Sequence, residues 1–327
     1  MIRITIDRLK RNEIEKTYYK DAGGYDTSIL KLLQTSEAKD ILKDNHKKIY
    51  HKLYDGSTGD LLEAEVKKIL LANRKELKQY IDMFGDYESK KKLSDELLEN
   101  IFRYDRFSKR KIVHTLMQIM DVSTCPYCNR QYVFTITSRK ARPQLDHYYP
   151  KSRYPYLALS LYNLIPSCSI CNMAKSSLDT VKEPILYPFD EEFGYDAKFE
   201  ISIKNSANYV KVLQGLSSEF IIGLNTINAS KPVIIKRQME KLHLDELYNK
   251  HSDYVKDIIK TKFVNTPERV EEIYKMFPML FHSREEVKKM IYMTDTKRES
   301  WGKRPLSKLT YDIDKQLELG EISLETD

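Results

Sequence analysis

The segment QLDHYYPKSRYPYLALSLYNLIPSCSICNMAKSS, residues 144–177, decides how this sequence is interpreted. It contains an Asp-His pair, two separated asparagines, a CxxC motif and a lysine. Few other parts of the chain combine titratable, amide and thiol side chains at such short spacing. Two interpretations follow: an active site held on a metal-stapled scaffold, or a metal-stiffened loop whose histidine has no chemical role.

The cysteines form two CxxC pairs, Cys125 with Cys128 and Cys168 with Cys171, and no further cysteine is present. In a reducing compartment, paired motifs of this kind favour metal binding over disulfides. Four thiolates complete the tetrahedral coordination of zinc and leave no open position for a water molecule. We therefore predict one structural Zn²⁺. Two unmetallated thiol pairs or a redox pair are the alternatives.

Composition indicates a soluble globular protein. The chain has 327 residues, of which 41% are hydrophobic and 31% are charged. No apolar run approaches the ~18 residues that a membrane-spanning helix requires. The first residues, MIRITIDRLKRNEIEK, place charges where a secretory signal would be apolar, so we expect a cytoplasmic protein with no membrane association.

The formal net charge is +7. The positive excess falls within residues 1–190, where 33 Lys and Arg residues face 25 Asp and Glu residues, while the remainder is close to neutral. An excess of this sign suits a phosphate-rich partner. An ordinary basic isoelectric point without meaning for binding is the alternative.

Changes of hydrophobic period divide the chain into three regions. Residues 1–119 show mostly helical spacing, residues 120–190 carry the motifs, and residues 191–327 begin with a predicted β-hairpin and return to helical spacing. In the last region, Pro267 is predicted at the first position of a helix capped by Thr266. The predicted hairpin pairs KFEISIKN with NYVKVLQG, and QYVFTIT near the first CxxC is predicted as a strand followed by a turn at SRKARP. The expected fold class is α+β and mainly α-helical, with a small zinc-stapled unit inserted between helical regions.

The residues between and beside the CxxC pairs match the requirements of phosphodiester hydrolysis. That reaction needs a base for water, a cation to stabilise charge on the phosphate, and a group that orients the base. His147 can be the base, because imidazole has an ordinary pKa near ~6.5. Asp146 and the amide of Asn172 offer the hard oxygen ligands that Mg²⁺ prefers.

Each of these residues also has a simpler interpretation. Asp146 and His147 can form a surface pair, Asn163 can stabilise a turn, Asn172 can cap a helix, and Lys175 can lie on a solvated helix face. The tyrosines that alternate with Lys151 and Arg153 suit either a nucleic-acid surface or a packed core. The basic segment RYDRFSKRKIVH, residues 103–114, suits either a phosphate-binding surface or an ordinary solvated helix.

In order and spacing, this segment resembles the HNH, or ββα-metal, endonuclease motif in its zinc-bracketed form. The resemblance covers residues 120–190 and implies a small ββα-metal unit. It places Asp146 at the acidic metal ligand, His147 at the general base, and Asn163 at the asparagine that orients the base. Asn172 falls at the second metal ligand, and Lys175 falls where many relatives carry a basic residue that touches the phosphate.

This resemblance implies an endonuclease that uses Mg²⁺ or Mn²⁺ for catalysis and Zn²⁺ for structure. DNA is the expected substrate. The alternatives are an RNA-directed nuclease, and a non-cleaving nucleic-acid-binding or assembly subunit that retains an HNH core. The layout also resembles bacterial HNH effectors of Septu-type anti-phage defence systems, which work beside an ATPase. It implies a defence role with an ATPase or a second copy of the chain as partner.

Overall fold

The computed structural model describes residues 1–24, 29–136, 141–226 and 231–324. The fold is α+β and 54% helical, with small sheets, as predicted. Two compact units are present: residues 5–122 with 133–184, called the Asp-His unit, and residues 1–4 with 123–132 and 185–327, called the hairpin unit. No helix in the described ranges is both long enough and apolar enough to cross a membrane.

The Asp-His unit begins with a series of helices whose apolar positions recur at three- and four-residue spacing. Helix α6 shows how the sequence sets one of them: Asn73 and Glu76 form a reciprocal capping box at its start, and its buried face carries Leu77 and Ile81. A single π turn follows α7 at Leu97–Ile101. The helices are α1 (Arg8–Gly24), α2 (Ile29–Leu33), α3 (Ser36–Asn45), α4 (Lys47–Leu53), α5 (Glu63–Leu70), α6 (Arg74–Phe84), α7 (Lys91–Glu96), α8 (Tyr104–Phe107) and α9 (Lys111–Met120).

A strand, a second strand and a helix complete this unit. Strand β1 (Gln144–His147) pairs antiparallel with β2 (Leu164–Ser167), and helix α10 (Ser169–Lys175) follows directly. The long connection between the strands contains two short 3₁₀ turns, at Pro155–Leu157 and Leu161–Asn163. The motif residues therefore lie on β1, at the end of the connection and on α10.

The segment QYVFTIT does not form the predicted strand. Tyr132 makes only an isolated antiparallel bridge with Thr124, and residues 133–136 have no regular structure. The Cys125 N–H donates to the Gln131 carbonyl, which closes a tight turn around the first CxxC and ends the pairing there. The predicted turn at SRKARP overlaps residues 137–140, which lie outside the described ranges.

The hairpin unit contains the predicted β-hairpin, but with a different second strand. Strand β3 (Ala197–Ile203) pairs antiparallel with β4 (Phe220–Thr226), and the short strand β5 (Ser323–Leu324) lies parallel to β3. The stretch predicted as the partner instead forms a 3₁₀ turn and helix α11 (Tyr209–Leu213). The Asn205 side chain accepts from the Ala207 N–H, so a local cap starts a helical turn where β-branched residues had favoured a strand.

Helices pack on this sheet. Thr266 caps α15 and Pro267 occupies its first turn, in agreement with the sequence. Helix α17 faces β3, where the Asp312 carboxylate accepts from the Phe199 N–H at 2.9 Å and Gln316 pairs with both backbone groups of Ile201. The helices are α12 (Pro232–Lys241), α13 (Leu244–Asn249), α14 (Ser252–Val264), α15 (Pro267–Met276), α16 (Arg284–Tyr292) and α17 (Ser307–Leu319).

Asn129 fixes the turn before α17 from the side of the first CxxC. Its amide nitrogen donates to the Trp301 carbonyl at 2.9 Å, its amide oxygen accepts from the Lys308 N–H at 3.2 Å, and its own carbonyl accepts from Leu306. The residue is fully buried and left-handed, with φ of 50°. Asparagine tolerates that conformation better than most residues, so both its backbone and its side chain suit this position.

Candidate functional site

The four cysteines meet as the sequence predicted. Cys125, Cys128, Cys168 and Cys171 are buried, and their sulfurs lie within 4.8 Å of one another. Zn–S bonds of about 2.3 Å place tetrahedral sulfurs about 3.8 Å apart, so the cluster has the right size to bind zinc. The Cys168 sulfur also accepts from the Cys171 N–H at the start of α10, as a thiolate ligand would.

Strand β1 ends at the Asp-His pair, and β2 holds that end in register. Asp146 lies opposite Ile165 and His147 opposite Leu164. His147 Nε2 lies 3.0 Å from the Ala158 carbonyl oxygen, which can only accept a hydrogen bond. This contact places the imidazole proton on Nε2 and leaves the lone pair on Nδ1. The ring can therefore act as a base through Nδ1.

Burial keeps the His147 imidazole neutral. The side chain is only 8% exposed, and desolvation lowers its pKa from the usual value to about 3. The hydrogen bond to Ala158 opposes this shift, and the charges of Lys151 and Lys175 add to it. The sequence alone suggested an ordinary imidazole that titrates near pH ~6.5. In the structure the His147 imidazole is uncharged well below that pH.

Asn163 joins the two ends of the loop that supports His147. Its amide oxygen accepts from the Tyr149 N–H at 2.7 Å, and its amide nitrogen donates to the carbonyls of Tyr149 at 3.0 Å and Leu157 at 3.1 Å. Tyr149 lies two residues after His147, and Leu157 immediately precedes Ala158. The fully buried Asn163 side chain thus fixes the backbone next to both His147 and Ala158.

Lys175 lies inside the site instead of on a solvated helix face. Its side chain is 0% exposed, and its ammonium lies 3.2 and 3.1 Å from the two oxygens of Asp146. It also donates to the His147 carbonyl at 2.6 Å. In this arrangement the ammonium is bound at the Asp-His end of β1. A direct contact with a phosphate would require it to leave Asp146.

Asn172 lies one turn before Lys175 on α10 and is partly exposed. Its amide nitrogen donates to the side-chain oxygen of Gln144 at 2.9 Å, at the other end of β1. This bond assigns the amide nitrogen and leaves the amide oxygen as an acceptor. Together with the Asp146 carboxylate it supplies the oxygen donors that suit Mg²⁺ or Mn²⁺, provided that Lys175 shares the carboxylate.

The tyrosines near the motif form a core. Tyr148, Tyr149, Tyr154 and Tyr156 are each at most 2% exposed and contact one another edge to face. The interpretation of these tyrosines as a nucleic-acid surface is therefore wrong. Arg153 is bound too, since its guanidinium pairs with Asp86, Glu88 and Asp179.

Two contacts of the site were not foreseen from the sequence. The Ala158 carbonyl belongs to the backbone and has no sequence signal. The Tyr104 ring packs edge to face on the His147 imidazole, with centroids 4.3 Å apart. Tyr104 lies within the basic segment 103–114. The position of that segment just before the first CxxC was the sequence feature that could have indicated a contact with the site.

The chain is similar in sequence to a known bacterial protein. The chain is 26% identical over 200 residues to Septu protein PtuB of Bacillus thuringiensis. The match covers 61% of this chain and 65% of that protein, so it spans just under two thirds of the relative's length. No protein-family model and no solved structure matches the chain.

Proposed function

We propose that this protein is a metal-dependent HNH endonuclease that hydrolyses phosphodiester bonds in DNA as an effector of bacterial anti-phage defence. The observation that carries the proposal is the His147 imidazole, held neutral and with its Nε2 proton directed to Ala158, beside Asp146. A base in a fixed tautomer next to a carboxylate is the arrangement that water activation requires.

Each residue of the candidate site has a distinct role in this proposal. His147 Nδ1 takes a proton from the attacking water, and the Ala158 carbonyl keeps the ring in the orientation for that transfer. Asn163 preserves this geometry through the loop. Asp146 and Asn172 would hold Mg²⁺ or Mn²⁺, which when bound neutralises charge on the phosphate and the leaving oxygen. The cysteine cluster, as a structural zinc site, fixes the start of α10 and hence Asn172.

Similarity to Septu protein PtuB supports the defence role. Septu-type HNH effectors work beside an ATPase, so we propose such an ATPase, or a second copy of this chain, as partner in the cytoplasm. Restraint by a partner is also consistent with the sequence, which contains no base-reading module that we can identify. DNA is preferred over RNA as substrate on the family resemblance alone.

Cleavage assays on supercoiled plasmid, linear duplex and structured RNA, each with Mg²⁺ or Mn²⁺, test the activity. His147→Ala should lower the rate by ~10³–10⁴ because the base is lost. His51→Ala is the matched control, since His51 is exposed on α4. Both variants should retain zinc and bind nucleic acid as the unmodified protein does.

The alternatives give different results in the same assay. A protein that binds DNA and cleaves none of the substrates would be an assembly subunit, and one that cleaves only RNA would correct the substrate. Equal cleavage rates for His147→Ala and the unmodified protein would refute the assignment of the base.

Co-purification from the native host with light scattering tests the partner. We expect a complex larger than one chain and weak cleavage by the isolated protein. A monomer that captures no ATPase and efficiently cuts one defined sequence would contradict this part of the proposal.

A further inference from the structure

An open pocket adjoins the proposed catalytic base within the Asp-His unit. Its volume is about 530 Å³, a size that accommodates a nucleotide. The polar residues that line it include Asp95, Glu99, Arg103, Tyr104, Arg106 and Lys151. All of these except Lys151 lie in the segment from α7 to the end of α8. This segment precedes the cysteine motifs in sequence and supplies none of the residues assigned to the proposed chemistry.

The backbone around this pocket is irregular in two independent ways. Leu97–Ile101 forms a single π turn, a form that occurs mostly at functional positions. Arg103 then adopts a left-handed conformation, with φ of 35° and ψ of 46°. A long side chain is strained there, and such strain concentrates at binding and catalytic sites. Both features turn the chain so that Arg103 lines the pocket and α8 begins at Tyr104.

Tyr104 links the pocket to His147. One side of its ring contacts the imidazole, with centroids 4.3 Å apart, and its hydroxyl donates to the Leu145 carbonyl at 3.3 Å. The Lys151 ammonium lies 4.7 Å from the centre of the same ring. A molecule in the pocket therefore lies one aromatic ring away from the base.

The charges of the pocket suit a nucleotide. Lys151 is paired with Asp105 at 2.9 Å, so these two charges compensate each other. Arg103 and Arg106 form no ion pair within the described ranges. Arg103 Nε donates to the Asn100 carbonyl at 3.1 Å, which leaves its two terminal nitrogens to bind an anion. Asp95 and Glu99, both exposed, contribute carboxylates that can accept from the exocyclic amino group of a base.

The geometry points to a subsite for one nucleotide of the strand that is cut, adjacent to the scissile phosphate. Arg103 and Arg106 bind a backbone phosphate, and the nucleotide lies against Tyr104. This inference rests on the proposed nuclease function, since it assigns His147 as the neighbouring base. It names the residues that hold the substrate strand, beyond those of the HNH resemblance.

Equilibrium binding of fluorescein-labelled DNA without added Mg²⁺ or Mn²⁺ tests the subsite without cleavage and leaves the structural zinc in place. The variants are Arg106→Ala and Arg103→Asn, because asparagine tolerates the left-handed conformation. Lys78→Ala is the matched control, since Lys78 is an exposed cation on α6 and does not line the pocket. Single-stranded and duplex DNA are both used as probes.

Each pocket variant should weaken binding about tenfold and lower the slope of log K against log salt by about 1, as expected for one lost phosphate contact. The control should leave the affinity and slope almost unchanged. Slopes for Arg103→Asn and Arg106→Ala equal to that of the unmodified protein would overturn the inference.

Cleavage kinetics separate this inference from the proposed function. If the unmodified protein cleaves DNA and neither arginine variant changes KM, the nuclease function is supported and the subsite is refuted. If both arginines contribute to DNA binding but the protein cleaves no substrate, the subsite is supported as a binding site and the nuclease function is refuted.

Discussion

Replacing Lys175 by methionine tests whether the buried ammonium and a catalytic metal share Asp146. Lys175 contacts both carboxylate oxygens and the His147 carbonyl from a fully buried position. Methionine keeps most of the volume of the lysine stem but removes the charge and the donors. In the absence of divalent metal, the buried Asp146 carboxylate then loses the ammonium that contacts both of its oxygens.

The expected decrease in the free energy of unfolding follows from the loss of this ion pair. Removing one partner of a buried ion pair costs about 3–5 kcal/mol. Divalent metal should restore part of this stability, because the cation can neutralise Asp146 in place of the ammonium. With Lys175 absent, metal no longer meets a positive charge about 3 Å from the same oxygens, so we expect at least tenfold tighter binding of Mn²⁺, which corresponds to about 1.4 kcal/mol.

Urea unfolding without added divalent metal and titration with Mn²⁺ measure the two effects. Lys308→Met is the matched control, because Lys308 is also fully buried and paired with Asp312, but lies in the hairpin unit. It should lower stability without raising Mn²⁺ affinity. A Lys175→Met protein that loses less than about 1 kcal/mol, or that binds Mn²⁺ no more tightly than the unmodified protein, would refute the reasoning.

Three further predictions concern stability. Cys168→Ser should remove bound zinc, measured by elemental analysis, and lower the melting temperature, because structural zinc contributes directly to folding free energy; zinc retained at full occupancy would contradict this. Asn129→Ala should cost about 3 kcal/mol in urea unfolding, because buried partners including the Trp301 carbonyl lose their hydrogen bonds; a cost below about 0.5 kcal/mol would refute the bridging role. Burial lowers the pKa of His46, so below pH ~6.5 the unfolded chain binds more protons and stability falls as pH drops. His46→Gln should flatten this dependence between about pH 7 and 5, and the exposed His51→Gln should not.

The sequence predicted those features that depend on short-range pattern and residue chemistry. The CxxC pairs predicted the cysteine cluster, since both their number and their spacing suit one metal. Thr266 and Pro267 predicted the start of α15 because capping acts within one helical turn. The strand at Ala197–Ile203 was also predicted, with alternate buried residues as its pattern required.

Features that depend on distant partners were not predictable in the same way. The strand propensity of Tyr209–Leu213 was overridden by the Asn205 cap, and the true partner of β3 lies further along the chain. Whether the tyrosines at 148–156 faced solvent or the core depended on residues such as Gly85, whose carbonyl accepts from Tyr156. The burial of Lys175 likewise follows from how α10 packs on β1, which residue spacing alone does not reveal.

Because the candidate site is buried, the residues that support His147, the proposed base, should matter as much as His147 itself. His147, Asp146 and Lys175 are each at least 92% removed from solvent, so water cannot compensate a misplaced group. The Ala158 carbonyl and the Tyr104 ring both contact the His147 imidazole, and the loop that carries this carbonyl is held by Asn163. Replacing Asn163 by alanine removes its hydrogen bonds to three buried backbone groups, at about 1–3 kcal/mol each, and loosens the loop that carries the Ala158 carbonyl. The chemistry proposed for His147 is therefore inseparable from the hydrogen bonds of Asn163.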